Sequence, residues 1–294
     1  MEINRNAALL EGDEEAKTAS AKQVSETQNV EQNVQNTFFS DALGELEVNK
    51  LVKDSRPELI VLLGLNDFGK STFVGSLYHL LRSKGCLGDI AFYDSETYVG
   101  FEKRVYLRRV ESTGPSTTKR TIRGENSFLH LRLQKKKLLY DVVLSDRSGE
   151  DYRDYISKDD LIEKDRTIKQ ADKLLLFVDS SKLYGRSYSS MFDEIKSLMH
   201  RLKAKDKLPQ HATVYVVFNK IDLKAEKDKD KCEHEDKIVQ MIQESFGLQE
   251  VKHVKINSKS LDENSELEDF FIKILQPSME ETYVHELDWV NNDI

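Results

Sequence analysis

An α/β fold, a doubly wound and mostly parallel sheet of about six strands with one antiparallel hairpin strand, is what this sequence predicts. Two observations carry that expectation. From residue 58 onward, short apolar runs alternate with stretches of helical periodicity, and most runs are continuously apolar, as strands buried on both faces are. Two neighbouring runs are joined by a tight lysine turn instead of a helix, and these read as a hairpin.

Taken in order, the strand candidates are LIVLLG (59–64), FLHLRLQ (128–134), LLYDVVLSD (138–146), KLLLFVD (173–179), ATVYVVFN (212–219) and VKHVKIN (251–257). Helical stretches are expected at 70–84, about 151–170, 187–205, 233–246 and 265–275. Residues 1–57 form a polar tail rich in Glu, Gln, Asn and Ser. Such a composition buries too little apolar surface to offset chain entropy, so disorder is expected over 1–35. Farther along, Phe39, Leu43, Leu46 and Leu51 fall near helical spacing and predict a short amphipathic helix, docked on the main domain or on a partner. The domain itself spans 58–278, with an insert at about 86–126, and residues 279–294 form a C-terminal tail holding Trp289.

The composition narrows the partners. The chain has 294 residues, of which 33% are charged, and a net charge of −8, which disfavours nucleic acid or an anionic membrane as the main partner. The lysines of RSKG and QKKKLL read as solvated surface. Cys86 and Cys232 are far apart with no histidine pattern beside them, which fits neither a zinc site nor a disulfide framework. No apolar run approaches the roughly 18 residues of a membrane span. The N-terminus lacks the basic start and apolar core of a secretion signal. A cytoplasmic protein is expected.

The chemistry begins at Gly64-Leu65-Asn66-Asp67-Phe68-Gly69-Lys70-Ser71-Thr72, where an apolar strand meets a helix. Glycines at both ends let the backbone wrap closely, so that successive N–H groups point at phosphate oxygens. The helix N-terminus adds its free N–H groups and dipole. Lys70 supplies a charge for the outer phosphates and Ser71 a hydroxyl for Mg2+. A second motif, Asn219-Lys220-Ile221-Asp222, ends a later strand. The Asp222 carboxylate accepts from the N1–H and exocyclic amine of guanine, whereas adenine would leave it unpaired. Asn219 is placed to tie this loop to the phosphate loop, and the Lys220 stem to lie along the base. Between these motifs, Asp146-Arg147-Ser148-Gly149 ends a strand; Asp146 would hold Mg2+ through water and the Gly149 N–H would contact a γ-phosphate. Finally, Asn257-Ser258-Lys259 would bring backbone N–H groups to the guanine oxygen.

Four motifs in this order resemble the Ras-like GTPase fold over about residues 58–276. The Gly64-Leu65-Asn66-Asp67 opening is similar to Arf-like proteins and to the signal recognition particle receptor β subunit. The SDRSGEDY segment after a long insert is most similar to the double-GTPase families of bacterial conflict and antiviral systems. The resemblance implies GTP or GDP and Mg2+ as ligands, slow hydrolysis and a nucleotide-gated switch or regulatory subunit in an antiviral assembly. It also implies a protein partner met through the switches and the N-terminal segment. A scaffold that holds nucleotide without turning it over, and an ATPase of the same fold, are the competing readings.

Two departures from the Ras-like pattern bear on catalysis. Glu150 stands where those proteins carry a water-orienting Gln. Beside a polyanion its ionised form is disfavoured; it reads as a water-orienting group, as a general base, or as a carboxylate favoured by the helix dipole. The insert must also supply a switch threonine for Mg2+ and the γ-phosphate. Thr113, Thr117, Thr118 and Thr121 are available, and Gly-Pro-Ser-Thr-Thr-Lys points to Thr117, then Thr118. Arg109 is the candidate for an arginine finger in cis, by analogy with heterotrimeric G-protein α subunits, against its reading as a solvated arginine. With Lys70, the catalytic set is Lys70, Glu150 and Thr117.

Overall fold

The structure is a computed structural model that describes residues 41–48, 51, 56–105, 124, 126–228, 230–260 and 265–278. These residues all belong to one compact unit, Asp41–Ile294. The expected disorder over 1–35, Phe39, the tail with Trp289, Arg109 and the switch threonines 113, 117, 118 and 121 lie outside the described residues.

The buried runs form the centre of one sheet. Strand β1 is Glu58–Leu63, and after helix α1, Glu45–Val48, and helix α2, Lys70–Lys84, come short strands β2, Cys86–Leu87, and β3, Ile90–Asp94. Helix α3, Tyr98–Val105, precedes the hairpin of β4, Asn126–Lys135, and β5, Leu138–Arg147. Helices α4, Gly149–Ser157, and α5, Asp159–Lys164, lead to β6, Lys173–Asp179; α6, Tyr188–Ala204, leads to β7, Thr213–Asn219. Helix α7, Glu233–Phe246, strand β8, Lys252–Ile256, and helix α8, Glu266–Leu275, complete the order. The strands lie in the order β2-β3-β4-β5-β1-β6-β7-β8. Pairing is parallel from β5 through β8 and antiparallel among β2, β3, β4 and β5.

β1, β6 and β7 are buried almost throughout, as their continuous apolar runs require. One edge of the core is aromatic: Phe73 of α2 lies 5.1 Å, centroid to centroid, from Phe177 of β6 and 4.8 Å from Phe271 of α8. Burying each such ring contributes about 1.5–3 kcal/mol.

Among the described residues the sheet has eight strands rather than about six, because the insert adds β2 and β3 beyond β4. β2 is two residues long, too short to show a period, and β3 carries a register shift between Phe92 and Asp94. Past Asp94, side chains continue the pairing: the Ser95 hydroxyl donates to His130 O at 2.7 Å, and His130 N donates to Thr97 Oγ1 at 2.9 Å. The Glu96 N–H donates to His130 Nδ1, which leaves Nε2 to donate to Asp141 at 2.9 Å.

The single helix expected over 151–170 is broken into α4, α5 and a 3-10 turn, Ile168–Gln170. Lys158 between the two helices is extended, and the Asp165 carboxylate takes the N–H groups of Thr167 and Ile168, offering the backbone a partner other than the helix. In the 41–48 segment, Leu43 bridges to Phe128 by two backbone hydrogen bonds, so this part docks in cis on β4. Leu46 faces out, at 71% exposure, and Val48 takes the buried place instead.

Candidate functional site

The motif loops converge at the carboxyl ends of β1, β5, β6, β7 and β8, the rim where α/β sheets bind ligands. The loop from Gly64 to Gly69 joins β1 to α2, and Lys70 is the first residue of that helix. Lys70 is buried, and its ammonium donates to Gly64 O at 2.6 Å and Leu65 O at 3.2 Å. Burial pulls its pKa down to about 8, against the opposing pull of Asp146, Asp67 and Asp151. Tyr152 of α4 lies beneath it, with the Lys70 Nζ 5.6 Å from the ring centroid.

Asn219 occupies the middle of the site and is almost fully buried. Its Nδ2 donates to Phe68 O at 2.9 Å, and its Oδ1 accepts from Ser258 N at 3.0 Å. One side chain therefore fastens the phosphate loop, the β7 loop and the β8 loop to each other. Gly69 makes this possible: its φ is 90°, and a Cβ there would lie 2.2 Å from Asn219 Nδ2. On the other side, Ser76 of α2 donates to Ser258 O at 2.5 Å. Lys259, next along, is exposed, with its N–H on Asn257 Oδ1.

Lys220 adopts the left-handed conformation at φ 62°, and its ammonium reaches Asp179 at 2.8 Å. Asp222 follows in the 3-10 turn Ile221–Leu223 and is exposed at the rim. Asn66 and Asp67 sit at the crest of the phosphate loop; Asp67 is left-handed at φ 63°, and Asn66 Oδ1 is buried without a partner among the described residues. Ser71 and Thr72 follow in the first turn of α2.

Asp146, at the end of β5, is fully buried, and its Oδ1 lies 3.3 Å from Ser71 Oγ. Its Oδ2 accepts from Arg104 Nε at 2.6 Å. Gly149 packs so closely on the Leu65–Asn66 peptide that a Cβ would stand 2.4 Å from Asn66 N. Ser148 caps α4 by accepting from Glu150 N, which sets Glu150 in the first turn of that helix, the place a dipole-favoured carboxylate takes.

Among the described residues no three His, Cys, Asp or Glu side chains gather as a metal site. Mg2+ keeps waters and phosphate oxygens as ligands and takes one or two protein oxygens, so the facing Ser71 hydroxyl and Asp146 carboxylate fit it. The structure thus brings together residues 64–72, Asp146, Gly149, Asn219, Lys220 and Ser258. Two partners escaped the sequence reading. Asp179, which holds Lys220, pairs in register with Asn219 and could have been found as an acid at the carboxyl end of a buried strand. Arg104 gives no comparable signal, since nothing in the sequence links it to Asp146.

No curated protein matches the chain. Among solved structures it is similar to translation elongation factor SelB from Methanococcus maripaludis with a GTP analogue, at 16% identity and TM-score 0.38 over 76% of this chain and 34% of that one. It therefore spans about a third of the elongation factor's length. It is also similar to the signal recognition particle receptor SRb-GTP/SRX complex from Chaetomium thermophilum, at 14% identity and TM-score 0.41 over 75% of this chain and 98% of that one. The small GTPase Arl6 from Trypanosoma brucei gives 14% identity and TM-score 0.41, over 74% and 97%. The model of the family described as Double-GTPase 2 matches residues 58–277. That match covers most of the chain, and the protein belongs to the Double-GTPase 2 family.

Proposed function

We propose that this chain is a guanine-nucleotide switch that binds GTP and GDP with Mg2+, hydrolyses GTP slowly and passes the difference between the two states to a partner protein. The observation that carries the reading is the pair of bonds from Asn219, which hold the phosphate loop and the base loop as one rim. Gly64 to Thr72 receive the phosphates, with Lys70 as the charge on the outer ones. Lys220 and Asp222 receive the guanine base, and Ser258 and Lys259 bring backbone N–H groups beside it. Ser71 and Asp146 hold Mg2+, with Thr117 completing the set. When bound, Mg2+ neutralises charge on the β- and γ-phosphates.

The chain's own part in the reaction is mainly positioning and electrostatics. Gly149 offers its N–H to the γ-phosphate from a loop that touches Leu65 and Asn66, so loss of that phosphate loosens both loops together. Glu150 orients the attacking water less well than a Gln does, because it lacks a donor when ionised, and hydrolysis is accordingly slow. A domain spanning 58–278, a cytoplasmic location and a regulatory place in a bacterial antiviral assembly complete the proposal. The free cysteines Cys86 and Cys232 support the location, and the resemblance of the SDRSGEDY segment to double-GTPase families motivates the assembly.

Glu150 also favours a second reading, a nucleotide-loaded scaffold with no turnover. Calorimetry with GDP and ADP, each with Mg2+, tests the base: GDP is expected to bind and ADP to give no heat, and the reverse would replace guanine by adenine in the reading. Phosphate release from GTP at the background rate, with and without proteins that copurify, would make it the scaffold.

A further inference from the structure

Arg104 reaches Asp146 from a helix that belongs to the insert, not to the motif loops. Its Nε donates to Asp146 Oδ2 at 2.6 Å and its Nη1 to Gly100 O at 2.7 Å. The pair is dry: the two side chains are 11% and 0% exposed. The opposite oxygen of the same carboxylate faces Ser71 at 3.3 Å. Asp146 therefore stands between a fixed cation on one side and the proposed metal position on the other.

Helix α3 is not free to swing away with its arginine. A Cβ on Gly100 would lie 2.8 Å from Ala42 N and 2.9 Å from a Leu129 methyl, so the helix is pressed against β4 and the 41–43 segment. Phe101 stacks on Tyr78 of α2 at 4.7 Å, and Glu102 pairs with Arg82. A guanidinium on one oxygen of a buried carboxylate and a divalent ion held beside the other, directly or through water, would repel each other with little screening.

We propose that Arg104 and the divalent cation compete for Asp146, so that the insert's helix α3 senses whether metal has been loaded beside the phosphates. The proposal rests on the assignment of Ser71 and Asp146 to Mg2+. Loading the ion loosens the Arg104–Asp146 pair, and the insert receives the signal through a side chain instead of through a switch loop. The arginine in turn sets the Mg2+ concentration at which nucleotide is held tightly.

The test is a Mg2+ titration of the full chain with the fluorescent nucleotide mant-GDP, in the wild type, Arg104→Gln and Arg104→Lys. Arg104→Gln is expected to lower the Mg2+ concentration for half-maximal mant-GDP affinity about tenfold, the sign of a removed competitor. Arg104→Lys, which keeps the charge but cannot hold Asp146 and the Gly100 carbonyl together, is expected to fall between wild type and Arg104→Gln, and a midpoint above wild type overturns the competition. An unchanged or higher midpoint in Arg104→Gln overturns the competition while leaving the nucleotide reading intact. Absence of mant-GDP binding by the wild type at every Mg2+ concentration overturns both. Should the Gln variant not fold, the side-chain Nε–H resonance of Arg104 in the wild type decides. It is expected to move toward the position of solvent-exposed arginines as Mg2+ and GDP are added, and a resonance that stays in place through saturation overturns the proposal.

Discussion

Replacing Asn219 by Ala removes two hydrogen bonds at once, to Phe68 O and from Ser258 N. Both backbone groups then lose their partner where water has little access, because Asn219 itself is 1% exposed. At about 1–3 kcal/mol for each stranded group, the change costs about 2–6 kcal/mol. Part of that is lost from the folded chain, measured by urea unfolding without nucleotide. The remainder is lost from GDP affinity, measured by calorimetry, where each 1.4 kcal/mol is about tenfold. Gly69→Ala attacks the same bond from the other side, since its Cβ would stand 2.2 Å from Asn219 Nδ2. It adds backbone strain of about 1–3 kcal/mol at φ 90°, present in either background. The clash, in contrast, exists only while Asn219 is there. The double variant is therefore expected to be less destabilised than the sum of the singles, by about 2 kcal/mol. Strict additivity, or an Asn219→Ala chain within about 1 kcal/mol of wild type and unchanged in GDP affinity, would refute the claim that this side chain holds the loops together.

The other tests are briefer. Asp222→Asn is expected to weaken GDP at least about a hundredfold and to improve the xanthine nucleotide, whose extra carbonyl needs a donor; unchanged selectivity in calorimetry would remove Asp222 from the base site. Glu150→Gln is expected to raise single-turnover GTP hydrolysis about tenfold by restoring a donor to the water, whereas a slower rate would make Glu150 a general base. Burial pushes the Asp141 carboxyl up, but hydrogen bonds from His130 and Arg132 outweigh it and hold the group below its ordinary 3.8. Its stabilising contribution is complete above 3.8 and is lost as pH falls through the lower folded value. Asp141→Asn is accordingly expected to flatten the decline in stability below 3.8, measured by urea unfolding across pH, and an unchanged decline would rule that contribution out.

The parts of the fold written in continuous apolar runs were legible, because the middles of β1, β6 and β7 are buried on both faces and are apolar there, with polar residues only at or near the strand ends. The strands of the insert were not. β2 spans only Cys86 and Leu87, and the pairing beyond β3 is made by Ser95 and Thr97 hydroxyls, which leave no hydrophobic period. The breaks in the 151–170 stretch were equally silent, since neither the extended Lys158 nor the end at Asp165, where the carboxylate takes the Thr167 and Ile168 N–H groups, falls on a Gly or Pro. In the site, motif residues were readable because backbone wrapping and base recognition demand particular residue types at fixed spacing. Arg104 meets Asp146 only through the packing of α3 on β4, a tertiary fact that local pattern does not encode.

The strands contributed by the insert also settle how the sheet ends. Without them, β4 beyond Phe128, which Leu43 already bridges, would present an open border of unpaired amides and carbonyls as far as Lys135. Such a border invites another chain to add itself as a strand, the first step toward aggregation. Among the described residues, the sheet finishes on one side in a two-residue stub and on the other in a strand carrying Lys252 and Lys255, and neither margin offers a neighbour much to pair with.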